Sequence, residues 1–168
     1  MSRTVAALTH RLLQATDRAR VEEMTRAQAL FRPDEVSVAL DVFDAATGNG
    51  RRRDPDYSTA GAVADGMLVG WICWGPTPCT IGTFDLYWIV VDLAWQGRGV
   101  GSALVAEMEG QLRGKARLIV VETAGRDDYA ATRAFYAARG YLVGATIAGY
   151  YEDGDDLVTY VKRMEAVQ

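Results

Sequence analysis

One stretch limits the folds open to this chain more than any other, the run from Phe84 to Gly110. Its first part, Phe84-Asp85-Leu86-Tyr87-Trp88-Ile89-Val90-Val91-Asp92, is aromatic and β-branched and bounded by an acid, which predicts a strand. Leu93-Ala94-Trp95 and then Gln96-Gly97-Arg98-Gly99-Val100-Gly101-Ser102 follow. Beyond the glycines the apolar period changes, with Val100, Ala103, Leu104, Met108 and Leu112 at helical spacing. The unit is therefore strand, glycine turn, helix. Such a turn directs backbone N–H groups to one point before a helix start, where the dipole favours negative charge, and this suits a pyrophosphate. Glycine allows close approach and left-handed φ. On the spacing alone, a simple tight connection and a phosphate seat both stay open.

Two familiar phosphate motifs do not fit. A dinucleotide fingerprint counted from Gly97 or Gly99 would place its third glycine on Ser102 or Leu104. A P-loop needs Ser or Thr after Gly-Lys, and Gly114-Lys115 is followed by Ala116.

Composition removes other classes. A formal charge of −4 argues against a phosphate-tracking nucleic-acid surface or an anionic-membrane binder. The Arg51-Arg52-Arg53 cluster runs straight into Asp54 and Asp56 and reads as a solvated loop. With His10 the one histidine and Cys73 and Cys79 the two cysteines, no metal site is expected, and the setting is read as reduced and cytoplasmic. Gly66 to Phe84 carries no charge, but Pro76 and Pro78 and its glycines would break a spanning helix, so no membrane association is expected.

Along the chain, a first strand is predicted around Thr9 to Ala15, then a helix capped by Thr16 or Asp17 with Val21, Met24 and Leu30 on one face. Arg32-Pro33-Asp34-Glu35 opens a second helix that buries Val36, Ala39, Leu40 and Phe43 and stops at Gly48-Asn49-Gly50. Strands over Tyr57–Ala64 and Met67–Trp74 are joined by the hairpin signal Asp65-Gly66, and Gly75–Cys79 is a loop. Ala116–Thr123 is a further strand, parallel to the first part of the central run because a helix connects them. Asp127 or Asp128 is expected to cap a helix carrying Ala131, Ala134, Phe135 and Ala138 and ending at Gly140. Tyr141–Tyr151 and Leu157–Lys162 close the chain as a hairpin. With no repeat and no linker, residues 1–168 read as one mixed α/β domain.

Gln96-Gly97-Arg98-Gly99-Val100-Gly101 resembles the Gln/Arg-x-x-Gly-x-Gly/Ala acyl-CoA signature of the GNAT (GCN5-related) N-acetyltransferases. Phe135-Tyr136-Ala137-Ala138-Arg139-Gly140-Tyr141 is similar to the Phe-Tyr-x-x-x-Gly-Phe/Tyr helix of the same family. The resemblance covers roughly Ala60 to Met164. It implies a central, mostly antiparallel, splayed sheet of six to seven strands flanked by about four helices. It also implies acetyl-CoA as donor, an amine as acceptor, and direct attack without a covalent enzyme intermediate.

In that scheme the backbone of Gln96, Gly97, Arg98, Gly99, Val100, Gly101 and Ser102 seats the pyrophosphate. Main-chain N–H groups near Ile89 and Val91 polarise the thioester carbonyl. Tyr136 holds the position of the family's general acid, with Phe135 taking the core-packing role. Glu122 or Asp85 is the expected base, its pKa raised by burial, directly or through water. Where many members carry an asparagine that contacts the CoA arm, this chain has Tyr129, expected to stack or hydrogen-bond instead. Trp71, Trp74, Tyr87, Trp88, Tyr150 and Tyr151 are candidates for an aromatic acceptor cleft, and Asp153, Asp155 and Asp156 for attracting a cationic amine. Competing readings are a non-catalytic acyl-CoA-binding or interaction domain and a transferase of longer acyl groups. Exposed edges in the closing hairpin leave a homodimer open.

Overall fold

A computed structural model describes residues 7–165 of the 168. Among the described residues, seven strands and four α-helices follow in the order β1 (Thr9–Arg11), α1 (Arg18–Arg26), α2 (Pro33–Thr47), β2 (Ser58–Ala64), β3 (Met67–Pro76), β4 (Thr83–Val91), α3 (Val100–Leu112), β5 (Leu118–Ala124), α4 (Ala130–Ala137), β6 (Leu142–Glu152) and β7 (Asp155–Arg163). The sheet order is β1-β2-β3-β4-β5-β7-β6. The described residues form two compact units: residues 7–74 with Trp88–Gln111, and Gly75–Tyr87 with residues 112–165.

The first unit is built on α1, α2 and the β1–β3 strands. Asp65 and Gly66 both take left-handed φ, 50° and 77°, which closes the two-residue hairpin between Ala64 and Met67 as the Asp-Gly pair predicts. Helix α2 starts at Pro33, keeps Asp34 and Glu35 in its first turn, and ends on Gly48 at φ 75°. It buries the expected Val36, Ala39, Leu40 and Phe43. These pack with Val21, Met24, Trp71 and Val90 in one apolar cluster. Phe43 meets Trp71 edge-on at 6.3 Å, and Phe31 meets Trp88 at 5.5 Å. The buried Trp71 indole N–H donates to Thr25 Oγ1 at 3.3 Å, so this large ring is buried without an orphaned donor.

Trp71 and Trp74 are 0% and 2% exposed, which corrects their assignment to an acceptor cleft. Both belong to a strand buried on both faces, so their rings fill the interior. Strand β3 also runs on through Pro76, two residues into the expected loop. The first strand is shorter than expected, ending at Arg11, and Ala15–Asp17 forms a single 3-10 turn before α1.

In the second unit, β4 and β5 pair in parallel from Thr83–Leu118 to Leu86–Val121, as a helical crossover requires. Strand β7 pairs antiparallel with both β5 and β6 and lies between them, leaving β6 at the edge. A two-residue turn, Asp153-Gly154 with Gly154 at φ 86°, joins β6 to β7. The register slips between Ile147 and Glu152, and Gly149 takes φ 60° there with its N–H donating to Asp156 Oδ1.

Two expectations for α4 are overturned. A 3-10 turn over Asp127–Tyr129 precedes it, its N-cap is Tyr129, and no side chain caps it. The buried residue of the helix is Tyr136, while Ala131, Ala134 and Ala138 are exposed. Over eight residues, a stripe of alanines reaches too short a distance to fix the helix rotation, and the one long aromatic sets it.

Candidate active site

The glycine turn is organised by its two ends. At the strand end, Asp92 N–H donates to Val69 O at 2.9 Å, and the Asp92 side chain accepts from Ala94 N at 2.8 Å and Arg20 Nη2 at 2.5 Å. At the helix end, Val100 and Leu104 are buried against Gly70, where an added Cβ would lie only 3.0 to 3.1 Å from Val100, Leu104 and the Val90 carbonyl. Gly70 therefore lets the start of α3 approach β3 closely.

Between these ends Gly97 and Gly99 have φ 71° and 83°, and a Cβ built on either meets nothing within 4 Å. Both are exposed, and Ala103 N–H makes a helical bond back to Gly99 O at 2.9 Å. The backbone amides at the start of α3 thus follow a turn whose surface carries no side-chain bulk at two positions, an arrangement that fits a phosphate seat. Gly101 lies in the first turn of α3. Arg98 sits over the Trp95 ring at 5.1 Å.

Gln28 and Gln96 complete the turn. Gln28 Nε2 donates to Val91 O and Met24 O, each at 3.0 Å. Gln96 Nε2 donates to Gln28 Oε1 at 3.1 Å and to Val91 O at 3.3 Å. Neither Gln28 nor Arg20 stands in a motif or on an apolar stripe, so nothing local marks them. Ile89 and Val91 are half-buried and lie beyond the last β4–β5 pair, Leu86–Val121.

In the second unit, Tyr136 is 2% exposed and lies among the rings of Phe135, Tyr141 and Tyr160, at 5.2, 5.7 and 6.1 Å. Burial pushes its phenol well above the ordinary value, opposed in part by the charge of Arg139. Phe135, expected in the core, is half-buried with the Arg139 guanidinium 3.5 Å from its ring centroid. The two neighbours have exchanged their expected packing.

The carboxylates differ from expectation too. Glu122, expected to be buried, is exposed on β5. Asp85 is half-buried and accepts from Thr77 Oγ1 at 2.7 Å. Glu122, Tyr129, Tyr150 and Asp155 all act electrostatically on Tyr151, whose phenol is pushed up to about 12, first by burial and then by these neighbours. Tyr150 and Tyr151 meet edge-on at 5.0 Å, and Arg126 lies 4.8 Å over the Tyr129 ring while pairing with Asp128 and Asp155. Asp155, 4% exposed, leaves Oδ1 without a hydrogen bond. Among the described residues, no group of His, Cys, Asp and Glu could hold a metal, and no helix is long and apolar enough to cross a membrane.

Residues 18–141 match the family model described as Acetyltransferase (GNAT) family, and the matched span runs through both units. The chain belongs to the GNAT acetyltransferases. Among solved structures it is similar to a protein of Desulfovibrio desulfuricans assigned to that family, with 34% identity, TM-score 0.87, and coverage of 94% of this chain and 99% of that one. It shares the fold of the ribosomal-protein-S18-alanine N-acetyltransferase of Escherichia coli, at 18% identity and TM-score 0.75, covering 96% and 97%. The same holds for a Salmonella typhimurium protein classed as an acetyltransferase and solved with acetyl-CoA, at 18% identity and TM-score 0.71, covering 95% of each chain. No curated protein sequence matches the chain.

Proposed function

We propose that the whole chain acts as one acyltransferase domain, moving an acetyl group from acetyl-CoA to a primary amine by direct attack. The observation that carries this reading is the Gln96–Ser102 turn. It has two left-handed glycines with open space at their Cβ positions, directly before the amides of α3. Acetyl-CoA supplies the activated acyl group as a thioester. The turn backbone from Gln96 to Ser102 holds the diphosphate, and main-chain N–H groups near Ile89 and Val91 polarise the carbonyl.

The amine nitrogen forms its bond to the acyl carbon as the carbon–sulfur bond breaks. Tyr136 gives its phenolic proton to the departing sulfur, which leaves as the thiol. Glu122 or Asp85 takes the proton lost by the amine, directly or through water. Tyr129 takes the place of the family's CoA-arm asparagine. The acidic and aromatic surroundings of Tyr151 favour an acceptor that carries positive charge.

The test is product analysis. The chain is incubated with acetyl-CoA and, in turn, a polyamine, an aminoglycoside, free amino acids, and peptides with free α- or ε-amines, followed by mass spectrometry. An N-acetylated product from one class supports the reading. Acetyl-CoA binding with no product from any class would favour an acyl-CoA-binding domain instead.

A further inference from the structure

Gln28 lies in the connection between α1 and α2, far in sequence from the glycine turn. Its backbone is held on both sides, with its N–H donating to Thr25 O at 3.2 Å and its carbonyl accepting from Phe31 N at 3.3 Å. Its carboxamide has two donors and one acceptor group, and both kinds are engaged: Nε2 with Met24 O and Val91 O, Oε1 with Gln96 Nε2. Because Gln96 Nε2 also reaches Val91 O, the three residues close a small hydrogen-bonded ring. That ring ties the α1–α2 connection, the last residue of β4 and the first residue of the turn.

The turn needs such a tether. Gly97 and Gly99 take left-handed φ, have no side-chain contacts of their own, and so have the widest conformational choice of any residue. An untethered turn would sample many conformations, and a ligand would have to order it at the cost of affinity. Gln96 makes side-chain bonds to Gln28 and Val91, and the bond to Gln28 Oε1 is the shorter of the two, at 3.1 against 3.3 Å.

We propose that Gln28 is a positioning residue for the donor, acting through Gln96 to hold the turn in its binding shape. This rests on the reading of the turn as a CoA seat. Gln28 touches no reacting atom in this role, so its loss shows in donor affinity and leaves the chemical step unchanged.

The experiment is calorimetric titration of CoA into the full chain and its Gln28→Ala, Gln28→Met, Gln96→Ala and Gln28→Ala/Gln96→Ala variants, with steady-state kinetics on each. Methionine keeps the volume and removes the hydrogen bonds, so it reads the same loss if alanine impairs folding. The expected result is a CoA Kd raised roughly five- to tenfold by either Gln28 variant, the equivalent of one hydrogen bond's net worth. The KM for acetyl-CoA should rise in step, with kcat and the amine KM unchanged. The double variant should bind no more weakly than the worse single variant. Unchanged Kd in both Gln28 variants overturns the assignment, as do additive losses in the double variant. A role in general stability would lower kcat and raise both KM values, which also overturns it. A wild-type chain that fails to bind CoA overturns the reading of the turn itself, and the assignment with it.

Discussion

Arg20 reaches from α1 to Asp92 at the end of β4, with Nη2 2.5 Å from Oδ2 and its Nε donating to the Leu68 carbonyl at 3.0 Å. The two side chains are 27% and 19% exposed, so this pair is less screened than a surface ion pair. Asp92 also accepts from Ala94 N–H, which begins the 3-10 turn leading to the glycines. Asp92→Ala removes both bonds and leaves Arg20 with Glu23 and the carbonyl. The expected cost is about 1–3 kcal/mol of stability, measured by urea unfolding. A change below about 0.5 kcal/mol would mean that solvent replaces both bonds at no loss.

The glycines of this region separate into two kinds. An added Cβ at Gly70 would press on the Val90 carbonyl, which cannot move without disturbing β4, so Gly70→Ala should destabilise the chain by about 1–3 kcal/mol. At Gly99 an added Cβ meets nothing within 4 Å, so Gly99→Val carries mainly the left-handed backbone cost, at least about 1–2 kcal/mol, and puts side-chain bulk on the turn that would receive the diphosphate. It should weaken CoA binding at least tenfold in calorimetry. If Gly99→Val bound CoA normally, the turn would be a connection and nothing more.

Tyr136→Phe keeps the ring packed against Tyr141 and Tyr160 and removes only the hydroxyl. As general acid its loss should lower kcat about 10²- to 10⁴-fold with little change in the acetyl-CoA KM. Glu122→Gln and Asp85→Asn divide the base assignment in the same assay. The true base variant loses the acidic limb of the kcat/KM profile, and the other keeps it. A Tyr136→Phe variant with full kcat at every pH would reduce Tyr136 to a core aromatic.

Much of the fold was legible because it is written in local chemistry. The Asp65-Gly66 turn, the Pro33 start and Gly48 stop of α2, and the parallel β4–β5 pair follow from turn residues, caps and crossover handedness. The turn with left-handed Gly97 and Gly99 before α3 was legible for the same reason. What stayed hidden depends on partners distant in sequence. Gln28 is an ordinary polar residue until the fold brings it to Val91 and Gln96, and Trp71 looks like any exposed-cleft aromatic until both faces of β3 are covered. The exchange of Phe135 and Tyr136 has a related cause. Helical spacing says that adjacent residues face apart but does not say which one faces the sheet.

Cys73 gives a prediction independent of catalysis. Burial raises its thiol from an ordinary 9.0 to about 12. Between those values the unfolded thiol is ionised while the folded one keeps its proton, so the folded state binds more protons and stability falls as pH rises. The contribution is complete below about pH 9 and is lost through the window up to about 12, at up to about 1.4 kcal/mol per pH unit. Urea unfolding at pH 8 and pH 10 should show a steeper alkaline loss in the wild type than in Cys73→Ala. Equal slopes would show that the thiol is not excluded from water.

The most direct test of the proposed chemistry is amine-stimulated thiol release from acetyl-CoA, followed in wild type, Tyr136→Phe and Gly99→Val with the best acceptor. The expected result is release by wild type well above its amine-free hydrolysis, nearly abolished by Tyr136→Phe, and recovered in Gly99→Val only at raised acetyl-CoA. Wild-type release that does not respond to any amine, while CoA still binds, would contradict N-acetyl transfer as the activity of this chain.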